Sequence, residues 1–268
     1  MATSATEMPT HLKDDTLTVC AVSSISAALA NVLHEGVGHA LVALFTGAQS
    51  GVISTVAWSS GYDSRLVAAG GTLVNLATGL ICWLALRGAK NSSVQTRYFL
   101  LTSFAFNAFT GTGYFFFSGV TNFGDWQVVI APMHPYWIWR TVLVVVGIAA
   151  YYGAVLAVGS ALVRYVGVSL DDTSRYRRLT FIPYFSAALL LGGGLLNPIG
   201  IQLVWESALP GAAGADCGLL WMRYYISKRI VPEWGSPVIS RSYPWIIAAA
   251  VVSLAFVFVL GRGIPLHR

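Results

Sequence analysis

Charged residues are scarce in this chain of 268 residues. Lysine and arginine number 16 and aspartate and glutamate 11, so charged side chains make up 10% of the sequence, against about 25% in an average soluble domain. So few charges cannot cover a soluble fold of this length, whereas 56% apolar residues fit an integral membrane protein in a lipid bilayer. The scarcity excludes a disordered chain, and the scattered loop cations do not form a nucleic-acid-binding patch.

Cysteine is also rare. The three cysteines, Cys20, Cys82 and Cys217, form no CxxC pair, and each lies in or beside an apolar segment. This pattern excludes a disulfide scaffold and is typical of small buried hydrophobic side chains. Residues 1–16 form a polar tail, and the apolar run that follows is too long for a signal peptide.

Long apolar runs are abundant. Six of them reach the roughly 20 residues that a transmembrane helix needs, at 17–47, 66–86, 98–119, 137–163, 179–205 and 243–261. The sequence therefore predicts an all-α, polytopic membrane protein with about six transmembrane helices, forming a single membrane domain over residues 1–268. We divide it into the tail 1–16, a metal-binding core over 17–130 and additional transmembrane helices over 131–268.

Two shorter segments have their own patterns. Residues 51–58 are rich in β-branched side chains and are bounded by turn-forming residues, which predicts a short strand or β-hairpin at the membrane surface. Residues 211–226 are apolar but too short to span comfortably, which predicts a re-entrant or interfacial helix.

Loop charge predicts the orientation of such a protein, because lysine and arginine are retained on the cytoplasmic side. Six spans place ten cations on the side of both termini and six on the other. We therefore expect a multi-pass protein with both termini in the cytoplasm.

One apolar segment contains ionisable residues near its middle. Residues 34–39 read His-Glu-Gly-Val-Gly-His, and each charged side chain in a membrane helix costs at least about 2.5 kcal/mol. A bound divalent metal would compensate this cost. His34 and His39 would be its ligands, and Glu35 would be a general base. The alternative is a polar cluster that only binds neighbouring helices.

The spacing of the two histidines is unusual. In a regular α-helix, residues five positions apart point about 140° away from each other, at about 100° per residue. A π-bulge, made easy by Gly36 and Gly38, would bring both imidazoles to one ion. Alternatively, Glu35 and His39 are four residues apart and could be the ligand pair, with His34 beside them.

A catalytic zinc site needs a third protein ligand. The best candidate is Asp125, which follows an apolar helix and a glycine, although an aspartate there could instead cap a short helix at 126–131. His134 is a weaker candidate in a proline-rich loop, and Asp216 and Glu206 are weaker still.

Other polar or deformable positions suggest supporting roles. Asn75 and Asn107 are amides in apolar helices, so they are candidate donors to an oxyanion or to substrate backbone, or else form interhelical hydrogen bonds. The glycines around Gly193, together with Pro198, make the fifth apolar helix deformable, which suggests a gate for a substrate helix.

The segment His34–Leu41 resembles the metal motif of the site-2 protease family of intramembrane zinc metalloproteases. Gly70–Asn75 is similar to the family's Gly-Pro-x-x-Asn segment, with Thr72 at the proline position. Gly124-Asp125 is similar to its Asp-Gly motif in reversed order. The resemblance covers residues 25–130.

The resemblance implies hydrolysis of a peptide bond in a membrane-embedded substrate protein. His34, His39 and Asp125 would hold Zn²⁺, and Glu35 would be the general base. Because the sequence shows no large soluble domain, we expect any separate recognition module to come from a partner chain. The alternatives are another metal-dependent membrane hydrolase or oxidase, or a non-enzymatic metal or ion transporter.

Overall fold

A computed structural model describes residues 13–190, 195–196, 202 and 210–268 of the chain. The helices are mostly long and follow the apolar runs. They are α1 (Thr16–Val32), a π-helix (Leu33–Leu41), α2 (Val42–Thr46), α3 (Arg65–Gly88), α4 (Val94–Thr121), α5 (Asp125–Ile130), α6 (Tyr136–Ala161), a second π-helix (Leu162–Val166), α7 (Thr173–Leu190), α8 (Gly218–Trp221) and α9 (Tyr243–Phe258).

Four helical segments are long and apolar enough to cross a membrane, namely Thr16–Thr46, Arg65–Gly88, Tyr136–Val166 and Tyr243–Arg262. The expected membrane protein is thus supported with four candidate spans in the described residues instead of six. The predicted span 98–119 forms the largely buried α4, which carries many threonine, serine and glycine residues. The predicted span 179–205 starts inside α7, whose first two turns contain three arginines, and much of its remainder lies outside the described residues.

Polar side chains set where three of the long helices begin. Asp15 accepts a hydrogen bond from the backbone N–H of Thr18 at 2.9 Å and caps α1. Serines cap the next two in the same way, Ser64 for α3 and Ser93 for α4. These caps satisfy backbone N–H groups that have no partner within the helix.

A small antiparallel sheet contains the predicted hairpin. Strand β1 (Ser50–Ile53) pairs with β2 (Trp58–Ser60), as the pattern of residues 51–58 predicts. A third strand, β3 (Ile264–His267), pairs with the other edge of β1, so the strand order is β2-β1-β3. The sequence analysis did not anticipate β3.

The bundle has two ends that are easily told apart. At one, the Asp15 end, the backbone N–H of Asp15 donates to Ile239 O at 2.7 Å, just before α9 begins. At the other, the sheet end, β1 and β3 pair beyond the far ends of α2 and α9. Helices α1 and α9 therefore run side by side in the same direction.

Within the described residues, Asp15 and Arg268 lie at opposite ends of the bundle. Asp15 lies at one end of α1, whereas the backbone N–H of Arg268 donates to Gln49 O at the sheet end. The cytoplasmic placement of both termini stays a prediction. The predicted re-entrant or interfacial segment forms short helical turns between Pro210 and Tyr224.

These turns carry the chain back toward the Asp15 end. They begin beside Gly113 of α4. They finish where Arg223 donates to Leu170 O, in the loop that leads to α7.

Candidate metal centre

The predicted bulge is present as a nine-residue π-helix, Leu33–Leu41. In a π-helix each residue bonds to the residue five positions away, so side chains with that spacing share a face. His34 and His39 have this spacing, and their Nε2 atoms lie 3.1 Å apart. The irregular helix thus removes the divergence that a regular α-helix would impose.

Asp125 completes a cluster of three ligand atoms. Its Oδ2 lies 3.4 Å from Nε2 of His34 and 3.5 Å from Nε2 of His39. The two imidazoles are buried and the aspartate side chain is 20% exposed. These three residues could hold a metal ion.

The spacing of the three atoms fits a tetrahedral metal. Zinc, with bonds of about 2.0–2.2 Å at tetrahedral angles, separates its ligand atoms by about 3.3–3.6 Å. The two distances to Asp125 lie in this range, and the 3.1 Å between the imidazole nitrogens is slightly shorter. Among the described residues, Oδ2 of Asp125 has no hydrogen-bond partner although it is shielded from water. A buried polar atom without a partner is rare unless an ion or water satisfies it.

Hydrogen bonds to the far side of each imidazole orient both rings. Nδ1 of His34 lies 2.5 Å from Oδ1 of Asn75, and Nδ1 of His39 lies 2.7 Å from Val67 O. Both partners are acceptors, so Nδ1 carries the proton and Nε2 keeps its lone pair. This is the tautomer that binds a metal through Nε2.

Asn75 and Asn107 connect three helices behind His34. Asn75 donates to Ala30 O at 3.1 Å and to Oδ1 of Asn107 at 2.8 Å, and Asn107 donates to Ser103 O at 2.8 Å. Asn75 therefore forms interhelical hydrogen bonds, which were the alternative to a role as an oxyanion donor. Both N–H groups of this amide are already used, and an oxyanion role for either asparagine stays a prediction.

A glycine turn brings Asp125 to the two histidines. Gly124 has φ of 84°, a left-handed conformation that glycine adopts readily, and Asp125 is the first residue of α5. Its side chain makes no capping hydrogen bond and faces the imidazoles instead. Burial raises the pKa of this carboxyl, but in the metal-free protein protonated imidazoles lower it more, so the net shift of the pKa is downward and the carboxyl is ionised. A bound cation would take the place of those protons.

The segment Gly70-Gly71 is glycine-rich because the π-helix packs against its backbone. A Cβ on Gly70 would lie 1.9 Å from Gly38 O, which leaves no space for any side chain. A Cβ on Gly71 would lie 2.4 Å from Nε2 of His39 and 2.6 Å from Nε2 of His34. Gly71 therefore keeps clear the space in front of the two ligand nitrogens.

Glu35 lies in the same cavity but outside the ligand triangle. It is 5% exposed, and its Oε2 accepts a hydrogen bond from the backbone N–H of Trp58 at 2.8 Å. Strand β2 therefore holds this carboxylate beside the cluster. The cavity, of about 400 Å³, is lined by all four of these polar residues and by Ser59 and Asp63, which are exposed at the sheet end.

Sequence reasoning missed two residues of this site. Trp58 donates its backbone N–H to Glu35, and Tyr114 lines the cavity with its ring centroid 5.0 Å from that of His34. No local pattern marks either one, because each arrives through tertiary packing. The β-branched residues of 51–58 predicted the strand but not the hydrogen bond that its backbone donates to Glu35.

The remaining candidates lie elsewhere. His134 is exposed in the loop before α6, and Asp216 is buried beside α4, outside the ligand cluster. Glu206 and the proposed gate residues Gly193 and Pro198 lie outside the described residues.

Comparisons with protein-family models, curated proteins and solved structures found no match to this chain. The fold and the cluster by themselves define a class: a mostly helical protein with apolar helices long enough to cross a membrane and a buried His-His-Asp group that could hold a metal ion.

Proposed function

We propose that this protein is a zinc-dependent intramembrane protease, which hydrolyses peptide bonds in membrane-spanning or membrane-adjacent segments of other proteins. The observation that carries the proposal is the grouping of three ligand atoms with the carboxylate of Glu35 in one cavity, within apolar helices. Zinc sites with three protein ligands keep a fourth position for water or substrate, and such sites are catalytic.

The residues divide into holding and reacting groups. His34, His39 and Asp125 would hold the ion, with Asn75 and Val67 O fixing the imidazoles. When bound, zinc lowers the pKa of water to about 7 and polarises a carbonyl. Glu35, held through Oε2 by Trp58, would accept a proton from the attacking water and deliver it to the leaving amine.

Membrane embedding supports this substrate class. Thr16–Thr46, the segment that carries the two histidines and Glu35, is itself apolar enough to cross a bilayer. A peptide bond that reaches these residues must therefore belong to a segment within or next to the membrane. A multi-pass arrangement of the apolar helices is part of the proposal.

Replacement of Glu35 by glutamine tests the proposal directly. Native and Glu35→Gln protein would be reconstituted in liposomes with a panel of single-span apolar peptides, and new peptide termini would be counted by mass spectrometry. We expect hydrolysis to fall by about 10²- to 10⁴-fold, because a general base contributes that much. Zinc content should stay near one per chain, because Glu35 is not one of the three ligands.

Glu233→Gln is the matched control, since Glu233 pairs with exposed Arg164 far from the cluster. Its hydrolysis should equal that of the native chain. Absence of peptide cleavage in the zinc-loaded native protein across the whole panel would contradict the protease proposal, as would undiminished cleavage in Glu35→Gln.

One observation favours a second candidate, a hydrolase of lipids or small amides. A cavity of about 440 Å³ between α4, α6 and the turns at 210–221 is lined by apolar and aromatic side chains, and it shares Tyr114 with the metal cavity. A hydrocarbon chain fits such a lining. In that case Glu35→Gln would abolish lipid or amide turnover while peptides remain uncut in the native protein.

A further inference from the structure

The two ends of the bundle differ strongly in positive charge. The Asp15 end holds twelve of the sixteen lysines and arginines: Lys13, Arg87, Lys90, Arg97, Arg164, Arg175, Arg177, Arg178, Arg223, Lys228, Arg229 and Arg241. The sheet end holds the other four, Arg65, Arg140, Arg262 and Arg268. This division follows contacts in the fold, and it differs from the ten-to-six division that six spans would give.

Specific contacts assign the less obvious residues to the Asp15 end. Arg97 donates to Tyr165 O, and Arg164 pairs with Glu233 in the loop before α9. Arg241 pairs with Asp15 at 3.0 Å. Arg87 lies in the last turn of α3 and Lys90 in the loop before α4, and Gln95 in the first turn of α4 donates to Ser240 O.

Contacts assign the cations of the sheet end in the same way. Arg140 donates to Gly119 O and Val120 O at the end of α4, and Arg65 reaches Met133 in the loop before α6. Arg262 and Arg268 flank β3.

The metal cavity belongs to the end with few cations. Seven residues of helix, or roughly 10 Å, separate His39 from the end of α2, whereas about 27 Å separate His34 from the start of α1. The exposed lining residues Ser59 in β2 and Asp63 and Phe123 in loops all lie at the sheet end. The cavity therefore opens at that end.

We propose that the Asp15 end faces the cytoplasm and that the metal cavity opens toward the opposite, non-cytoplasmic side of the membrane. Lysine and arginine near the ends of membrane helices are retained in the cytoplasm, where they also meet anionic lipid headgroups. The inference rests on the membrane-spanning part of the proposed function and not on the hydrolysis. It selects substrate segments that lie near the non-cytoplasmic surface.

The native chain offers a direct test, because its three lysines, Lys13, Lys90 and Lys228, are all exposed at the Asp15 end. Sealed right-side-out and inverted vesicles would be treated with a membrane-impermeant amine reagent, and modified lysines would be located by mass spectrometry. We expect modification of all three in inverted vesicles and protection in right-side-out vesicles.

Arg268→Lys supplies the matched reporter at the sheet end without a change of charge. Arg268 is exposed beside β3, so the introduced lysine should react in right-side-out vesicles and be protected in inverted ones. Its reactivity should thus be opposite to that of the three native lysines in the same molecule.

Each other outcome overturns the proposal. Native lysines that react only in right-side-out vesicles would mean that the cavity opens to the cytoplasm. Reaction of the native and introduced lysines from the same side would mean that the two ends do not lie across the membrane. The measurement needs neither zinc nor hydrolysis, so its failure is distinguishable from failure of the protease proposal.

Discussion

Asp14 and Asp125 are two carboxylates at opposite ends of the bundle, with side chains that are 1% and 20% exposed, and they are held in opposite ways. Nε of Arg175 donates to one oxygen of Asp14 at 2.8 Å, and Nη2 of the same arginine lies 3.4 Å from the other. The backbone N–H of Ile239 also donates to Asp14 at 2.8 Å. Every oxygen of this side chain thus has a partner within the protein.

Asp125 has the reverse arrangement. Its Oδ2 faces two imidazole nitrogens at 3.4 and 3.5 Å and has no hydrogen-bond partner among the described residues. A closed network such as that of Asp14 stabilises the fold, whereas an unpartnered carboxylate oxygen beside two imidazole nitrogens leaves a group that could hold an ion. Asp14 is therefore a structural carboxylate, and Asp125 is a candidate metal ligand.

Replacement of Asp125 should have the largest effect, and that effect is on metal content. We expect Asp125→Ala to reduce bound zinc from about one per chain to a trace, because two imidazoles alone leave the site one protein ligand short. The free energy of unfolding of the metal-free protein should change by less than about 1 kcal/mol. Elemental mass spectrometry of the detergent-purified protein measures the first quantity and thermal unfolding the second.

His39→Ala is the positive control for the loss of zinc, and its zinc content should fall as far as that of Asp125→Ala. Full zinc occupancy in Asp125→Ala would show that another side chain completes the site, and the contrast with Asp14 would then fail.

Replacement of Asp14 should instead lower the stability of the fold. We expect Asp14→Ala to lower the free energy of unfolding by about 3–5 kcal/mol, because Arg175, whose side chain is 14% exposed, loses its charged partner. Zinc content at low temperature should be unchanged. Glu233→Ala breaks a pair that is nearly half exposed on both sides, and it should cost under about 1 kcal/mol.

Equal losses of stability in Asp14→Ala and Glu233→Ala would contradict the buried network at the Asp15 end. Thermal unfolding of both variants after chelation keeps the metal from masking the difference.

The smallest expected effect comes from the residues behind the ligands. Asn75→Leu removes the acceptor of His34 Nδ1 and should raise the dissociation constant for zinc by about 10- to 100-fold. Asn75→Asp keeps an oxygen acceptor and should retain most of the affinity. Competition with a zinc-binding dye measures both constants.

The same pair of variants distinguishes the two roles of Asn75. An oxyanion donor would be lost equally in both, with hydrolysis reduced and zinc affinity unchanged. That result would contradict the positioning role that the hydrogen bonds indicate.

Local patterns predicted much of the candidate site. The spacing of His34 and His39 required a π-bulge, and the structure has one, because a helix can satisfy its backbone in only a few ways. The glycine before Asp125 marked a turn that delivers this carboxylate to the same point. The residues that could hold a metal were thus predictable, because ionisable side chains in an apolar helix need a compensating partner.

Long-range pairings could not be predicted in the same way. Strand β3 pairs with β1 although the two lie near opposite ends of the described chain, and no periodicity reports a partner at that distance. The direction of the segment 210–224 could not be predicted either. An apolar run of that length fits a re-entrant turn as well as a segment that runs along the bundle in one direction. The side of the membrane on which each terminus lies stays a prediction.

The third strand has a consequence for the order in which the protein matures. An isolated two-stranded hairpin is only marginally stable in water, and three strands or a packed face are needed for independent stability. Trp58, which holds Glu35, belongs to that hairpin, and β3 joins it from residues 264–267. In a nascent chain, the hydrogen bond from Trp58 to Glu35 therefore gains the support of the third strand only after residue 267 has been synthesised.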